Sequence, residues 1–408
     1  MAVKKFDKSI EWYKKCNHII PAACSTLAKA PSRLIENVSP FCCSCADGSS
    51  FIDIDGNKWI DCEMAMGTVV WGYNPSFLTE TLIRQIEKGI SFSIAGDNEY
   101  QYAEMLLKKF PCYNSVKFFK NGADSVYAAV RASRFLSKKN GVLSCEYHGW
   151  LDWSCFHYYG KEPQAYGIPN DIMHTSLHCE SDRETIIRQL ISINEELACI
   201  VLCPSSFSKE DLEAIINECH HYHIFVIFDE ITSGVRYGYR GVSGEYGLYP
   251  DYLCLSKGLT NGLPLAVCMG KSENILIMEE LKISNAHSSE NLSIAAAIAC
   301  EKEMSSSPIW PTWKTQGEMV MDRIRLQIKK LNLSQKLFLK GYPGNFHVYS
   351  QKDFYTDPFR DYMIRMLSAE GIFSKGFILF SAAHTTEEIV LTGQIICECI
   401  EQYANTIN

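Results

Sequence analysis

Residues 224–228 read Ile-Phe-Val-Ile-Phe without a polar interruption, and the run stops at Asp229-Glu230. β-Branched and aromatic residues without alternation indicate a strand buried on both faces. Such strands belong to parallel sheets covered by helices on each side. Open α/β sheets place their ligands outside the carboxyl ends of the strands, so Asp229 stands where chemistry is expected. A second apolar run, Tyr252–Leu255, ends at Ser256-Lys257-Gly258. The pattern thus brings a carboxylate and an amine to strand ends on one edge of one sheet. A short strand is expected at 116–119 and another buried one at 199–204, with helices over 74–89, 98–110, 182–197 and 208–221.

A lysine in Schiff-base linkage to pyridoxal phosphate, with an acid keeping the pyridine nitrogen protonated, is chemistry that uses such a pair. The neighbouring residues are more specific. Asp229-Glu230-Ile231, Gly234, Arg236, Tyr246-Gly247-Leu248-Tyr249-Pro250-Asp251, Ser256-Lys257-Gly258 and Gly262-Leu263-Pro264 follow one another in order. This block resembles the cofactor segment of class III aminotransferases, above all the glutamate-1-semialdehyde aminomutase-like group. The likeness runs from about residue 20 to the end. It implies an α/β fold of fold type I, with a mostly parallel seven-stranded sheet in a large domain. A small α+β domain would be built from both termini. The expected parts are 1–70 (N-terminal arm and part of the small domain), 71–290 (large cofactor-binding domain) and 291–408 (C-terminal small domain). The family also implies a homodimer with active sites at the interface.

Residues 115–137 read as a strand, a small-residue turn Asn121-Gly122-Ala123-Asp124-Ser125, and an amphipathic helix. A turn of this kind leaves backbone N–H groups open at the positive end of a helix dipole, which suits an anion. The resemblance assigns Asn121, Gly122 and Ala123 to the cofactor phosphate. Ala123 lacks the hydroxyl many relatives offer, so the amides carry more of the contact. Cys145-Glu146-Tyr147-His148-Gly149-Trp150 resembles the family's aromatic-His-Gly segment. Tyr147 is expected to stack on one face of the pyridine ring, with Ile231 covering the other. Residues 286–296 are similar to a family loop that supplies a threonine to the phosphate of the neighbouring subunit. Ala286 occupies its place, leaving Ser288 or Ser289 to substitute.

Two expected substrate contacts lie near the N-terminus. Lys29 stands where aminomutases carry an arginine for the substrate carboxylate, and it offers a point charge in place of a bidentate fork. Trp71 belongs to a stretch, 66–75, similar to the glycine-rich segment near the substrate; a plain loop between lobes reads equally well. Cys203-Pro204 departs from the family's usual Glu-Pro and removes an active-site carboxylate.

The chain carries a net charge of −8 and no basic run, which argues against nucleic-acid or anionic membrane partners. No apolar stretch has the length of a membrane span, and the charged start MAVKKFDKSIEWYKK is unlike a secretory leader. Eighteen scattered cysteines suit a reducing compartment, so the cytoplasm is expected. Cys42 and Cys45 form one CxxC without a second pair at zinc-finger spacing, and no metal is expected. His220, His221 and His223 end a helical pattern and read as capping or surface residues.

Three functions remain open at this point. One is an aminotransferase, with Lys257 and Asp229 catalytic, L-glutamate as amino donor and a carbonyl acceptor such as a keto-sugar for surface polysaccharide. Another is an isomerase of the aminomutase type. The third is a cofactor-binding protein without turnover, against which the presence of both Asp229 and Lys257 speaks.

Overall fold

A computed structural model describes residues 4–159, 166–351 and 353–407. A turn expected at Gly160 lies outside the described residues; the one at Gly167 has a positive φ of 82°. The chain forms two compact units, Met1–Ser76 with Ile309–Asn408, and Phe77–Pro308.

The second unit is built on one seven-stranded sheet: β1 (Ser115–Phe119), β2 (Gly141–Ser144), β3 (Ser176–His178), β4 (Leu197–Leu202), β5 (Phe225–Asp229), β6 (Tyr252–Leu255) and β7 (Ala266–Gly270). Their spatial order is β1-β7-β6-β5-β4-β2-β3. Only β7 runs antiparallel to its neighbours. Every residue of β2, β4, β6 and β7 is buried, as expected of strands with helices on both faces. Because β2, β4, β5 and β6 are parallel, their carboxyl ends open on a single edge.

The central run matches the expected strand, and β6 spans the expected residues. One expected helix is corrected. It covers Arg183–Ile193, with the Asp182 side chain accepting from the Thr185 amide, and does not continue to Leu197. Leu197 and Ala198 instead extend the apolar run of β4 toward its amino end, and a turn at 193–196 separates the two. The Lys209–His221 helix carries His220 and His221 in its last turn, where His220 meets Asp251 at 3.3 Å.

The first unit pairs Cys43–Asp47, Ser50–Asp53, Lys58–Asp61 and Ile372–Phe373 in one sheet, and Phe338–Tyr342, Asn345–Tyr349 and Phe377–Ile378 in another. The first hairpin turns at Gly56, φ +90°, a conformation glycine adopts without steric cost. Asp53 fixes that turn by accepting from the Asp55 and Asn57 amides and from Trp59 Nε1. Helices Trp310–Lys330, Pro358–Ala369 and Thr386–Ile407 close a core containing Met321, Ile324, Phe346, Phe359, Met363 and Ile396. The last helix starts with a capping box: the Thr385 amide donates to Glu388, and the Glu388 amide donates to Thr385 Oγ1. Among the described residues no helix is long and apolar enough to cross a membrane.

Candidate active site at the strand ends

The carboxyl ends of β5 and β6 lie side by side, with the Glu230 amide donating to the Cys254 carbonyl at 2.9 Å. Asp229 ends β5 and is only 6 % exposed. Its Oδ1 accepts from the Ile231 amide at 3.1 Å, and its Oδ2 lies 2.7 Å from His148 Nδ1. Lys257 follows β6 and donates from Nζ to Thr232 Oγ1 at 2.7 Å. Its φ of +38° is unusual for a residue with a side chain, and such backbone is sustained only where the surroundings over-determine it.

The phosphate turn packs against the same edge. Gly122 opens the Gly122–Ser137 helix, and a Cβ there would come within 2.4 Å of Ile231 Cδ1. Gly149, φ +109°, approaches equally closely: a Cβ on it would stand 2.6 Å from Ala123 Cβ. Asn121 donates from Nδ2 to Asp124 Oδ2. The Asp124 and Ser125 amides turn back to the Asn121 carbonyl. The amides of Gly122 and Ala123 have no acceptor among the described residues, so they remain open at a helix N-terminus. Asn121, Gly122, Ala123, Asp229, Ile231 and Lys257 are thus gathered on one sheet edge.

The other expected residues are less concentrated. Tyr147 lies on the loop after β2 and is 58 % exposed. Its neighbour His148 is buried, fixed between Asp229 and the Cys145 carbonyl, which lies 2.7 Å from Nε2. Ser288 and Ser289 lie on the loop before the Asn291–Ser306 helix, where the Ser288 hydroxyl donates to Asn285 Oδ1. Lys29 and Trp71 belong to the first unit. There Lys29 lines a cavity of about 320 Å³ together with Phe41, Phe51, Tyr73, Phe373 and Lys375. Trp71 is buried.

Sequence reasoning missed His148, Glu146 and Thr232. Glu146 holds a left-handed backbone, φ +72°, and accepts from the Ser206 hydroxyl at 2.5 Å. A carboxylate therefore reaches the end of β4 even though Cys203 supplies none. Burial pushes the Cys203 thiol well above its ordinary range, and the Asp229 and Glu146 carboxylates push it further. Donor atoms of His148, Cys203 and Asp229 lie within 4.8 Å of one another, and Cys42 and Cys45 join no such trio among the described residues. The sequence pointer to His148 was its place beside Tyr147 in the loop after β2, where the left-handed Glu146 breaks any strand alternation.

An amine, a buried carboxylate and two open amides on one edge match the aldehyde, ring nitrogen and phosphate of pyridoxal phosphate. Comparison with known proteins agrees. Residues 35–349 match the sequence model of the family Aminotransferase class-III. The chain belongs to this family. It is 25 % identical to a glutamate-1-semialdehyde 2,1-aminomutase of Thermodesulfovibrio yellowstonii, over 96 % of this chain and 98 % of that protein. A 3-aminobutyryl-CoA aminotransferase of Cloacimonas acidaminovorans is also 25 % identical, over 72 % of each chain. A solved transaminase with PLP bound superposes with a TM-score of 0.86 at 20 % identity, covering 99 % of both chains. The class III fold and its cofactor-bound neighbours imply pyridoxal phosphate here, and the residues present fit it.

Proposed function

We propose that this class III enzyme is an aminotransferase that takes an amino group from L-glutamate and passes it to a carbonyl acceptor. The observation that carries the reading is the convergence of Lys257, Asp229 and the 121–123 turn on one sheet edge. When bound, pyridoxal phosphate supplies an electron-withdrawing ring against which the Cα–H bond of an amino donor can ionise. The Gly122 and Ala123 amides, in the turn opened by Asn121, orient the phosphate at the helix N-terminus. Asp229 keeps a proton on the ring nitrogen through its charge, and His148 with the Ile231 amide holds that carboxylate still. Lys257, steadied by Thr232, takes and returns the substrate proton. Ile231 covers one face of the ring and Tyr147 the other. Ser288 or Ser289 serves the phosphate of a second subunit, Lys29 meets the substrate carboxylate, and Trp71 lines its approach.

The aminomutase reading has support of similar weight in the names of the relatives. Transfer is favoured by Lys29 at the position of the aminomutase arginine, where a point charge replaces a bidentate fork. A keto-sugar acceptor finds no support among these relatives, so the acceptor class stays a carbonyl compound. The enzyme is read as cytoplasmic from its eighteen free thiols. The test uses purified holoenzyme with L-glutamate and no acceptor. One equivalent of 2-oxoglutarate per site is expected, with no more until a carbonyl acceptor is added. Isomerisation of glutamate-1-semialdehyde without release of 2-oxoglutarate from glutamate would replace this reading by the aminomutase one.

A further inference from the structure

Cys145 follows β2 and Cys179 follows β3, and their sulfurs lie 3.4 Å apart. The strands are parallel neighbours, and the Cys179 amide donates to the Ser144 carbonyl at 3.1 Å, so the two thiols are held in register by the sheet. We propose that Cys145 and Cys179 form a reversible disulfide, and that this modification loosens the pyridoxal phosphate site through His148.

Closing the bond requires the sulfurs to approach from 3.4 Å to about 2.0 Å, a movement that side-chain torsions and a small shift of one strand end can supply. β3 is the edge strand, three residues long and paired only with β2. Its end can open locally at low cost and admit a small oxidant to Cys179, which is 8 % exposed, whereas Cys145 is fully buried. Cys179, the less buried of the two, is the thiol an oxidant reaches first and so the attacking sulfur. With hydrogen peroxide as oxidant, the Cys179 thiolate attacks one peroxide oxygen and releases hydroxide, leaving a sulfenic acid. The Cys145 sulfur then displaces that oxygen, and its proton leaves with it as water. Overall two thiols are oxidised to one disulfide and one peroxide is reduced to two waters.

The consequence follows from one shared residue. The Cys145 carbonyl lies 2.7 Å from His148 Nε2, and His148 Nδ1 lies 2.7 Å from Asp229. Drawing Cys145 toward β3 disturbs the support of Asp229. This second half rests on the reading of Asp229 as the ring-nitrogen partner.

The test treats the purified holoenzyme with hydrogen peroxide, blocks the remaining thiols and maps the linked peptides, with dithiothreitol as the reversal. A Cys145–Cys179 linkage that dithiothreitol removes is expected. In Cys179→Ser the Cys145 thiol should stay free. If both thiols of the native protein remain alkylatable, or are over-oxidised without linkage, the disulfide is refuted without reliance on any variant. Linked protein should then bind pyridoxal phosphate about tenfold more weakly than reduced protein, the loss of roughly one hydrogen bond to a charged group. Unchanged affinity in linked protein would overturn the coupling through His148. The linkage is read from peptides alone, so failure of the aminotransferase reading leaves that arm intact.

Discussion

Asp229 meets His148 at Oδ2 and the Ile231 amide at Oδ1 while almost wholly withdrawn from water, so its charge acts in a low-dielectric setting on whatever lies in front of it. Asp229→Asn keeps the size and hydrogen-bonding reach of the side chain and removes the charge. With cofactor content checked, kcat is expected to fall by about 10²–10³-fold, the range seen when one preorganised electrostatic contact is lost. A variant working at near the parental rate would remove Asp229 from the mechanism. His148 acts one step further out. His148→Phe deletes both of its hydrogen bonds with little change in volume. Cofactor retention should weaken by about tenfold, as for the loss of a hydrogen bond to a charged partner. Kd measured by equilibrium dialysis checks this, and His148→Gln, whose amide can still reach Asp229, should recover part of the loss. Equal weakening in both variants would mean that the ring only fills space.

At the scale of elements, the sheet was legible because the run at 224–228 leaves no other home for five apolar residues in a row. The end of the Arg183–Ile193 helix was not, because Leu197 and Ala198 suit a buried helix face as well as a buried strand. In the Asp229-Glu230 pair the division of labour was also hidden. Glu230 turns inward to accept from the Val242 and Ser243 amides at the start of the Gly241–Tyr246 helix, a contact between residues distant in the chain. Tyr147 was the candidate in its segment, and only the fold shows that its neighbour His148 is the residue Asp229 meets. The Asn345–Tyr349 strand yields a prediction of its own. His347 sits opposite Lys340 across one ladder and Phe377 across the other, and burial, assisted by Lys340 and opposed by Asp357, lowers its pKa to about 4. Above pH 6.5 the ring is neutral in both folded and unfolded chains, so it has no pH-dependent effect. As pH falls from 6.5 toward 4 the unfolded chain takes up the proton and the folded one does not, so stability declines through that window. The decline should reach about 2–3 kcal/mol from this residue. Tm measured from pH 7 to pH 4 should therefore fall less steeply in His347→Gln, and identical slopes would contradict it.

On the cofactor-binding unit several large apolar residues close in sequence are exposed. Ile83 and Ile86 share an outer face of the Ser76–Lys88 helix, and Ile90, Phe92, Ile94 and Tyr100 continue beyond it, each between 44 % and 83 % exposed. Single exposed apolar residues are ordinary, but six within eighteen residues of sequence suit a surface that another protein covers. A second copy of the chain is the occupant we propose, consistent with the role proposed for Ser288 or Ser289 at a neighbouring phosphate. The acidic net charge of −8 does not oppose this, because none of the six side chains is charged and the attraction is the removal of apolar area from water. Placing one carboxylate in the patch tests the idea, since an interface that buries an unpaired charge loses stability by several kcal/mol. Ile86→Glu should shift the protein from dimer to monomer in multi-angle light scattering at micromolar concentration, while the far-ultraviolet circular dichroism stays unchanged because Ile86 faces outward. Activity per chain should fall with the dimer fraction and recover as concentration rises. If the parental protein is already a monomer with full turnover at assay concentration, the dimer is refuted and each site must be complete within one chain.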